Sequence, residues 1–315
     1  MINAKIKYYE SGEEVLNTIG DLLVEYREYT KLTQKELVEA LSHYSEKFKN
    51  LNTVTISRWE TGTTTPSLHK KKLLLHFFAS SHCLITDGAC HDILYEAYER
   101  LYEPLSTVFT HNYQSLIGNL PEQRMGQHNL ENLKVFSQKD EYIEHIIDIE
   151  KATNATNYYP IKPTLLTQWC NYPSTFCIVA ERKKQHLGHF IMIKLKNHVA
   201  KEIAHHKRSE FDLNKNDFCD INENGTYYVH ALYGRSPRIA AELNVKAYLH
   251  LFENLKYTDN VMIFSTRTDG VLLTKDYGIQ EVAYGVDEEY EFEWHGMLSP
   301  VEDILFSDTV LKLVF

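Results

Sequence analysis

The side chains whose types and spacing suggest chemistry cluster near the start of the chain. Gln34 and Lys35 come first, and Thr53, Thr55 and Arg58 follow, with Val54 beside them. Amides, hydroxyls and a guanidinium donate to phosphate oxygens and to base edges, and a guanidinium reads guanine in the major groove. The set therefore suits recognition of duplex DNA.

The surrounding sequence supplies the elements that must position these groups. Thr33 is a helix N-cap, and Glu36 three residues later completes a capping box. Gln34 and Lys35 then fall in a first turn, where free N–H groups and the positive helix end favour a phosphate. Leu37, Val38 and Leu41 give this helix an apolar face. Asn52 or Thr53 caps the next helix, in which Ile56 and Trp59 form the buried stripe. Thr53, Thr55 and Arg58 point outward, with Val54 at the exposed leading end. Gly62 terminates the helix, and Ser67 caps another that carries Leu68, Leu73, Leu74, Phe77 and Phe78.

This stretch, from Thr33-Gln34 through Ile56-Ser57-Arg58-Trp59-Glu60 to Gly62, resembles the Xre/Cro-type helix-turn-helix domain over roughly residues 17 to 79. The resemblance implies base contacts from Asn52, Thr53, Val54, Thr55 and Arg58. It implies phosphate contacts from Gln34, beside Lys35, and from the Thr63/Thr64 loop. The link from Leu41 to Thr55 is longer than the family usually has, so Ser42 to Asn50 either lengthens the second helix or forms an excursion. A module of this kind reads one half-site, which implies a homodimer on DNA.

Charge is divided unevenly. The whole chain carries −10, yet residues 1 to 80 hold 11 Lys or Arg against 10 Asp or Glu. The acidic remainder cannot be a nucleic-acid surface and must do something else. No apolar run reaches membrane-spanning length, and the first residues do not form a signal peptide. The five cysteines, Cys83, Cys90, Cys170, Cys177 and Cys219, are scattered and odd in number, as expected of reduced thiols in a cytoplasmic protein. His82-Cys83 and Cys90-His91 could chelate zinc, but their spacing matches no strong zinc pattern, and no metal is expected. His205-His206 reads as a solvated helix face.

Ile93, Leu94, Ala97, Leu101 and Leu105 recur at helical spacing, with Pro104 breaking or bending the run. This connector is either a dimer interface or a packing helix. Residues 118 to 132 read as a linker. Beyond it the pattern is mixed α and β. A strand over Leu133 to Ser137 precedes a helix from Lys139 to Ala152, with Ile143, Ile146, Ile147 and Glu150 on one stripe. A helix from Thr164 to Cys170 follows, then a hairpin of Thr175 to Ala180 and His189 to Leu195. A polar insertion covers 198 to 225. Next come a strand from Tyr227 to Tyr233, a long helix from Pro237 to Leu255 and a strand from Val261 to Ser265. A short helix from Gly270 to Tyr277 and a strand from Ile279 to Gly285 complete the series.

This order is similar to the GNAT acyltransferase fold over roughly residues 131 to 300. In that family an Arg/Gln-x-x-Gly-x-Gly/Ala loop before the long helix holds the pyrophosphate of acyl-CoA. Here the aligned stretch is Arg235-Ser236-Pro237-Arg238-Ile239-Ala240, with Arg238 in place of the glycine. The family's Tyr general acid falls on Thr274, a poor proton donor. Both departures lean against catalysis, so no catalytic residue is assigned. Trp169, Phe176, Tyr228 and Tyr233 are expected to wall a ligand cleft, with Arg235 and Arg238 at its mouth.

The fold class expected is multidomain. An all-α helix-turn-helix domain (1–80) is followed by a helical connector (81–130) and an α/β GNAT-like domain (131–315). The function expected is DNA-binding transcriptional regulation, with the GNAT-like domain sensing a small organic ligand or mediating dimerisation. The alternative is a DNA-binding acyl-CoA-dependent N-acyltransferase.

Overall fold

The computed structural model describes residues 18–112, 142–153, 161–182 and 184–315. The linker expected over 118–132 and the strand expected over Leu133 to Ser137 lie outside the described residues. The chain divides into two compact units, Met1–Pro66 and Ser67–Phe315.

In the first unit α1 spans Thr18–Thr30, α2 Gln34–Tyr44 and α3 Thr53–Glu60. The capping box at Thr33 and Glu36 forms as the spacing requires. Asn52 caps α3 by accepting from the Thr55 N–H. Leu22, Leu23, Leu37, Leu41, Ile56 and Trp59 make the core. Both expectations for Ser42 to Asn50 are met in part. The helix runs on to Tyr44, and a 3₁₀ turn over Glu46–Phe48 then buries Phe48 completely. One ionic knot ties the three helices. Glu60 takes Arg27 Nε at 2.6 Å and Gln34 Nε2 at 2.7 Å, so α1 and α2 both fasten to the end of α3.

In the second unit α4 (Leu68–Ser80), α5 (His91–Glu99) and α6 (Tyr102–Asn112) precede α7 (Ile143–Thr153) and α8 (Pro163–Cys170). The hairpin β1 (Phe176–Arg182) and β2 (Gln185–Leu195) leads to α9 (Asn197–Ala204), β3 (Gly225–Gly234) and the long α10 (Pro237–Glu253). Then come β4 (Thr258–Ser265), α11 (Thr268–Asp276), β5 (Glu281–Asp287), β6 (Phe292–Pro300), α12 (Val301–Leu305) and α13 (Asp308–Val314). The sequence reading missed β6, whose Glu293, Trp294, His295 and Gly296 obscure the alternation of a strand. Among the described residues no helix is long and apolar enough to cross a membrane.

The connector is two helices. Pro104 stands in the first turn of α6, where a missing N–H costs little, and the break falls just before it. Leu94, Tyr98, Leu101, Leu105 and Phe109 are buried within the chain, and α5 and α6 pack on α10. Of the two roles open for this stretch, packing is the one observed. Cys83 and Cys90 form a disulfide. This corrects the expectation that all five thiols are reduced, and it removes both sulfurs from the zinc alternative. Cys170, Cys177 and Cys219 are free thiols.

The six strands form one sheet in the order β1-β2-β3-β4-β6-β5. All neighbours are antiparallel except β3 and β4. One face is covered by α7, α8 and α9 over Ile146, Leu166, Ile191, Ile193 and Met262. The other is covered by α10, whose His250 reaches Tyr227 Oη at 2.8 Å. The insertion after α9 is pinned by the fully buried Lys194, whose Nζ donates to the Ile221 carbonyl at 3.0 Å. α9 sits hard against Gly296 of β6, where an added Cβ would lie 1.6 Å from the Ala204 carbonyl oxygen. Gly296→Ala should therefore force α9 off the sheet and destabilise the fold by about 3 kcal/mol. Urea denaturation followed by circular dichroism measures this, and an unchanged midpoint would refute the close packing.

Candidate active site

The parallel pairing of β3 and β4 runs from Gly225 and Thr258 to Val229 and Ile263, and stops there. Beyond that point β3 continues to Gly234 while β4 turns away after Ser265. The register against β2 also slips here. Ile191 faces Ala231 and Met192 faces Val229, so His230 is an extra residue in β3. Such a bulge bends its strand and re-aims a side chain. Tyr228, His230 and Ala231 thus all join the face covered by α7 to α9, where strict alternation would give every second residue to α10.

A cavity of about 580 Å³ opens at this divergence. Its walls are β3, β4, the segment after α9, the start of α11 and the β5–β6 turn. His230 is buried in it, with Nδ1 3.3 Å from Glu210 Oε2. The same carboxylate accepts from Tyr228 Oη. The Trp169 ring stands edge-on to His230 at 5.1 Å. Burial pulls the His230 pKa down, but the Glu210 hydrogen bond and charge, aided by Glu150, outweigh it and leave the value raised.

A second His–carboxylate pair stands on the opposite wall. α9 ends in a Schellman turn, in which His206 N–H reaches Ile203 O and Lys207 N–H reaches Glu202 O. His206 takes the left-handed φ of 53° there. Its Nε2 meets Asp287 at 3.0 Å, and its ring packs on Phe264 and Trp294. The expectation of a solvated His205-His206 face therefore fails for His206, while half-buried His205 sets its Nδ1 2.8 Å from the Lys201 carbonyl. The Asp287 carboxyl is lowered, first by the His206 hydrogen bond and then by the Tyr290 N–H.

The cavity leans acidic. Glu150, Glu210, Asp212 and Asp287 line it against Lys207, Arg208 and Arg267. Arg208 is already tied to Asp217 at 2.5 Å, and Arg267 to Asp269 at 2.8 Å. An occupant carrying a positive amine is favoured by this balance.

The residues expected to wall the cleft separate. Tyr228 lines the cavity, and Trp169 lies behind His230. Tyr233 instead stacks with His189, while Phe176 stacks on His250 at 4.4 Å beneath α10. Arg235 and Arg238 flank the N-terminus of α10, with Arg238 exposed. That terminus is short of free donors. Pro237 has no N–H, and the Ile239 N–H is turned to Ser236 Oγ at 3.4 Å. Thr274 lines the cavity, but its hydroxyl donates to the Gly270 carbonyl at 2.6 Å. It therefore cannot serve as a general acid while that bond holds.

In the first unit Asn52, Thr53, Val54 and Arg58 are exposed, Thr55 is half-buried, and Lys35, Thr63 and Thr64 are exposed. The Arg58 guanidinium makes no hydrogen bond among the described residues. Gln34 is committed by its amide N–H to Glu60.

Sequence reasoning missed His230, Glu210 and the His206–Asp287 pair. One signal was present: a histidine inside the otherwise apolar and aromatic run Tyr227 to Tyr233. Among the described residues no group of three or more His, Cys, Asp or Glu side chains that could hold a metal ion is found.

No protein-family model matches the chain, and no curated protein matches it. Solved structures do overlap it. An aminoglycoside 6'-acetyltransferase type Ii shares 11% identity and a TM-score of 0.35, covering 54% of this chain and 96% of that one. An N-acyl amino acid synthase from uncultured soil microbes shares 12% identity and a TM-score of 0.39, covering 56% and 97%. Mutant forms of the spermidine/spermine N-acetyltransferase SpeG from Vibrio cholerae share 14% identity and a TM-score of 0.32, covering 56% and 97%. The strand order and the single parallel β3–β4 pair give the C-terminal part a GNAT acetyltransferase-like fold.

The raised pKa of His230 has a consequence for stability. A group raised above its unfolded value of about 6.5 stabilises the fold fully below that pH. The contribution is lost as pH rises through the folded value. Glu210→Gln should therefore be most destabilising below about pH 6.5, with the gap to the parent closing at higher pH. Urea melts across the range test this, and a pH-independent gap would contradict an ionised pair.

Proposed function

We propose that this chain is a DNA-binding, acyl-CoA-dependent N-acyltransferase. Residues 1–80 bind duplex DNA, 81–130 connect, and 131–315 acylate an amine. The observation that carries the transferase reading is the buried His230–Glu210 pair at the point where β3 and β4 part. An amine enters the acidic cavity as its ammonium form. His230 takes the ammonium proton, the neutral nitrogen attacks the thioester carbonyl, and as the carbon–sulfur bond breaks the second proton on that nitrogen passes to the leaving sulfur, giving amide and thiol. Arg235 and Arg238 hold the donor's phosphates by charge in place of the backbone N–H groups that Pro237 and Ser236 withdraw. The DNA-binding reading is supported by the exposed Asn52, Thr53, Val54 and Arg58 on a helix whose inner side is locked by Glu60.

A second reading keeps the DNA-binding unit and makes the GNAT-like domain a ligand sensor in a cytoplasmic, homodimeric regulator. The spent hydroxyl of Thr274 and the donor-poor α10 terminus favour it. Thiol release from acetyl-CoA and longer acyl-CoAs with a panel of amines separates the two. Turnover should occur, and His230→Asn should lower kcat/KM by about 10²–10⁴-fold. Binding of an amine without thiol release would establish the sensor instead. In gel-shift titration Arg58→Ala should cost about 1–3 kcal/mol if Arg58 reads a guanine, with relaxed specificity. If Arg58 contacts phosphate, affinity should fall on all sequences alike. Unchanged affinity for selected and random duplexes would remove α3 as the reading helix.

A further inference from the structure

A second carboxylate in the cavity has internal support of its own. Glu150 of α7 lines the cavity, and its Oε1 lies 2.9 Å from His189 Nε2. His189, on β2, is completely buried, and its Nδ1 lies 3.2 Å from His186 Nε2. The chain has one consistent direction with Glu150 as a carboxylate and His189 as a neutral imidazole. An ionised carboxylate only accepts, so His189 donates through Nε2. A neutral imidazole has one donor, so His189 accepts at Nδ1 and His186 donates through Nε2. The Nδ1 of His186 is then a bare acceptor, and among the described residues it has no hydrogen-bond partner. The rings of Tyr142, His145 and Tyr233 pack around His186. Burial first, then the nearby His189 and His145, bring its pKa down to about 3, so it stays neutral.

A buried polar chain with one unmet nitrogen is less stable than an apolar filling of the same space. β2 gains nothing from it, since its backbone already pairs with both β1 and β3. What the chain does hold is Glu150. We propose that Glu150 is the second carboxylate of the base site, and that His189 and His186 are positioning residues that hold it facing the cavity. His230 is then bracketed by Glu210 and Glu150. Tyr228 on its own strand and the Trp169 ring from α8 also pack on it, with His206, Lys207, Arg208, Asp212, Arg267 and Asp287 elsewhere on the cavity wall. Glu150's charge already contributes to the raised pKa of His230. The catalytic consequence rests on the transferase reading, but the positioning does not.

The test is nuclear magnetic resonance titration of the full chain with labelled histidine, His230 being assigned from His230→Gln. Glu150→Gln and His189→Phe should each lower the His230 midpoint by about one pH unit. His189→Gln keeps an N–H donor toward Glu150 and should restore the midpoint. Nitrogen shifts should show His186 and His189 protonated at Nε2. In the thiol-release assay the acidic limb of kcat/KM should move with the midpoint. An unmoved midpoint in both variants, or a His189 protonated at Nδ1, overturns the proposal even if thiol release is strong. A moved midpoint without thiol release for any amine upholds the positioning and sinks the transferase reading instead. If His189→Phe fails to fold in thermal melts, Glu150→Gln decides alone.

Discussion

Hydrogen bonding between β3 and β4 ends at Val229 and Ile263, and the second unit is arranged around that ending. Two parallel strands held at one end and free at the other leave backbone groups without ladder partners. Those groups need another environment, because burying them unmet is costly. The bulge at His230 sits immediately past the last pair and bends β3. The segment after α9 then roofs the gap and brings Glu210 and His206 to it. β3 also runs straight into α10, so the cleft and the N-terminus of that helix share one edge of the sheet. Gly188 and Gly234, paired across β2 and β3, permit this. A Cβ on Gly234 would come within 2.8 Å of the Ala240 nitrogen.

The first unit depends on a different constraint. Glu60 is nearly buried and serves both Arg27 and Gln34. Ion pairs removed from water add little net stability, because desolvation offsets most of their attraction. Their stronger effect is on geometry, since leaving either partner alone is expensive. The knot fixes the angle of α3 against α1 and α2, and so fixes which side chains face out. It also alters the part assigned to Gln34. A side-chain amide already donating to a carboxylate inside the unit is less available to a phosphate than position in the first turn suggests.

Local signals in the sequence were legible where they involve neighbours along the chain. The capping box at Thr33 and Glu36, the Asn52 cap, the Ile56 and Trp59 stripe, the hairpin and the long α10 all appear where spacing puts them. The cavity was not legible in the same way, because its members come from distant segments. Glu210 lies in what reads as a polar insertion, and nothing in its neighbours marks it as a partner for His230. Glu150 did carry a signal. It sits on the same helical stripe as Ile143, Ile146 and Ile147, which is where an acid is least expected without a partner. The aromatic wall was drawn too broadly. Phe176 lies on the α10 side, because a strand sends alternate residues to opposite faces, and Tyr233 shares the cavity's face but packs farther along β3 against the His186 and His189 rings.

The features for and against group transfer differ in kind, and magnitudes help weigh them. The α10 terminus lacks the Pro237 N–H and turns the Ile239 N–H to Ser236, a loss of two donors to a bound phosphate. A hydrogen bond to a charged group contributes about 1.5–3 kcal/mol. Arg235 and Arg238 can offer charge-assisted bonds of the same order. The deficit at this end is therefore one of type more than of size. Fixed backbone dipoles are exchanged for mobile guanidiniums, one of them exposed, whose attraction falls with ionic strength. A donor held this way binds less rigidly and more salt-dependently than one cradled by backbone. The base side is the reverse: His230, Glu210 and Tyr228 are buried and hydrogen-bonded to one another before any ligand arrives. On the transferase reading proposed above, preorganisation lies with the acceptor side, and selectivity for the amine is built in more firmly than grip on the acyl donor.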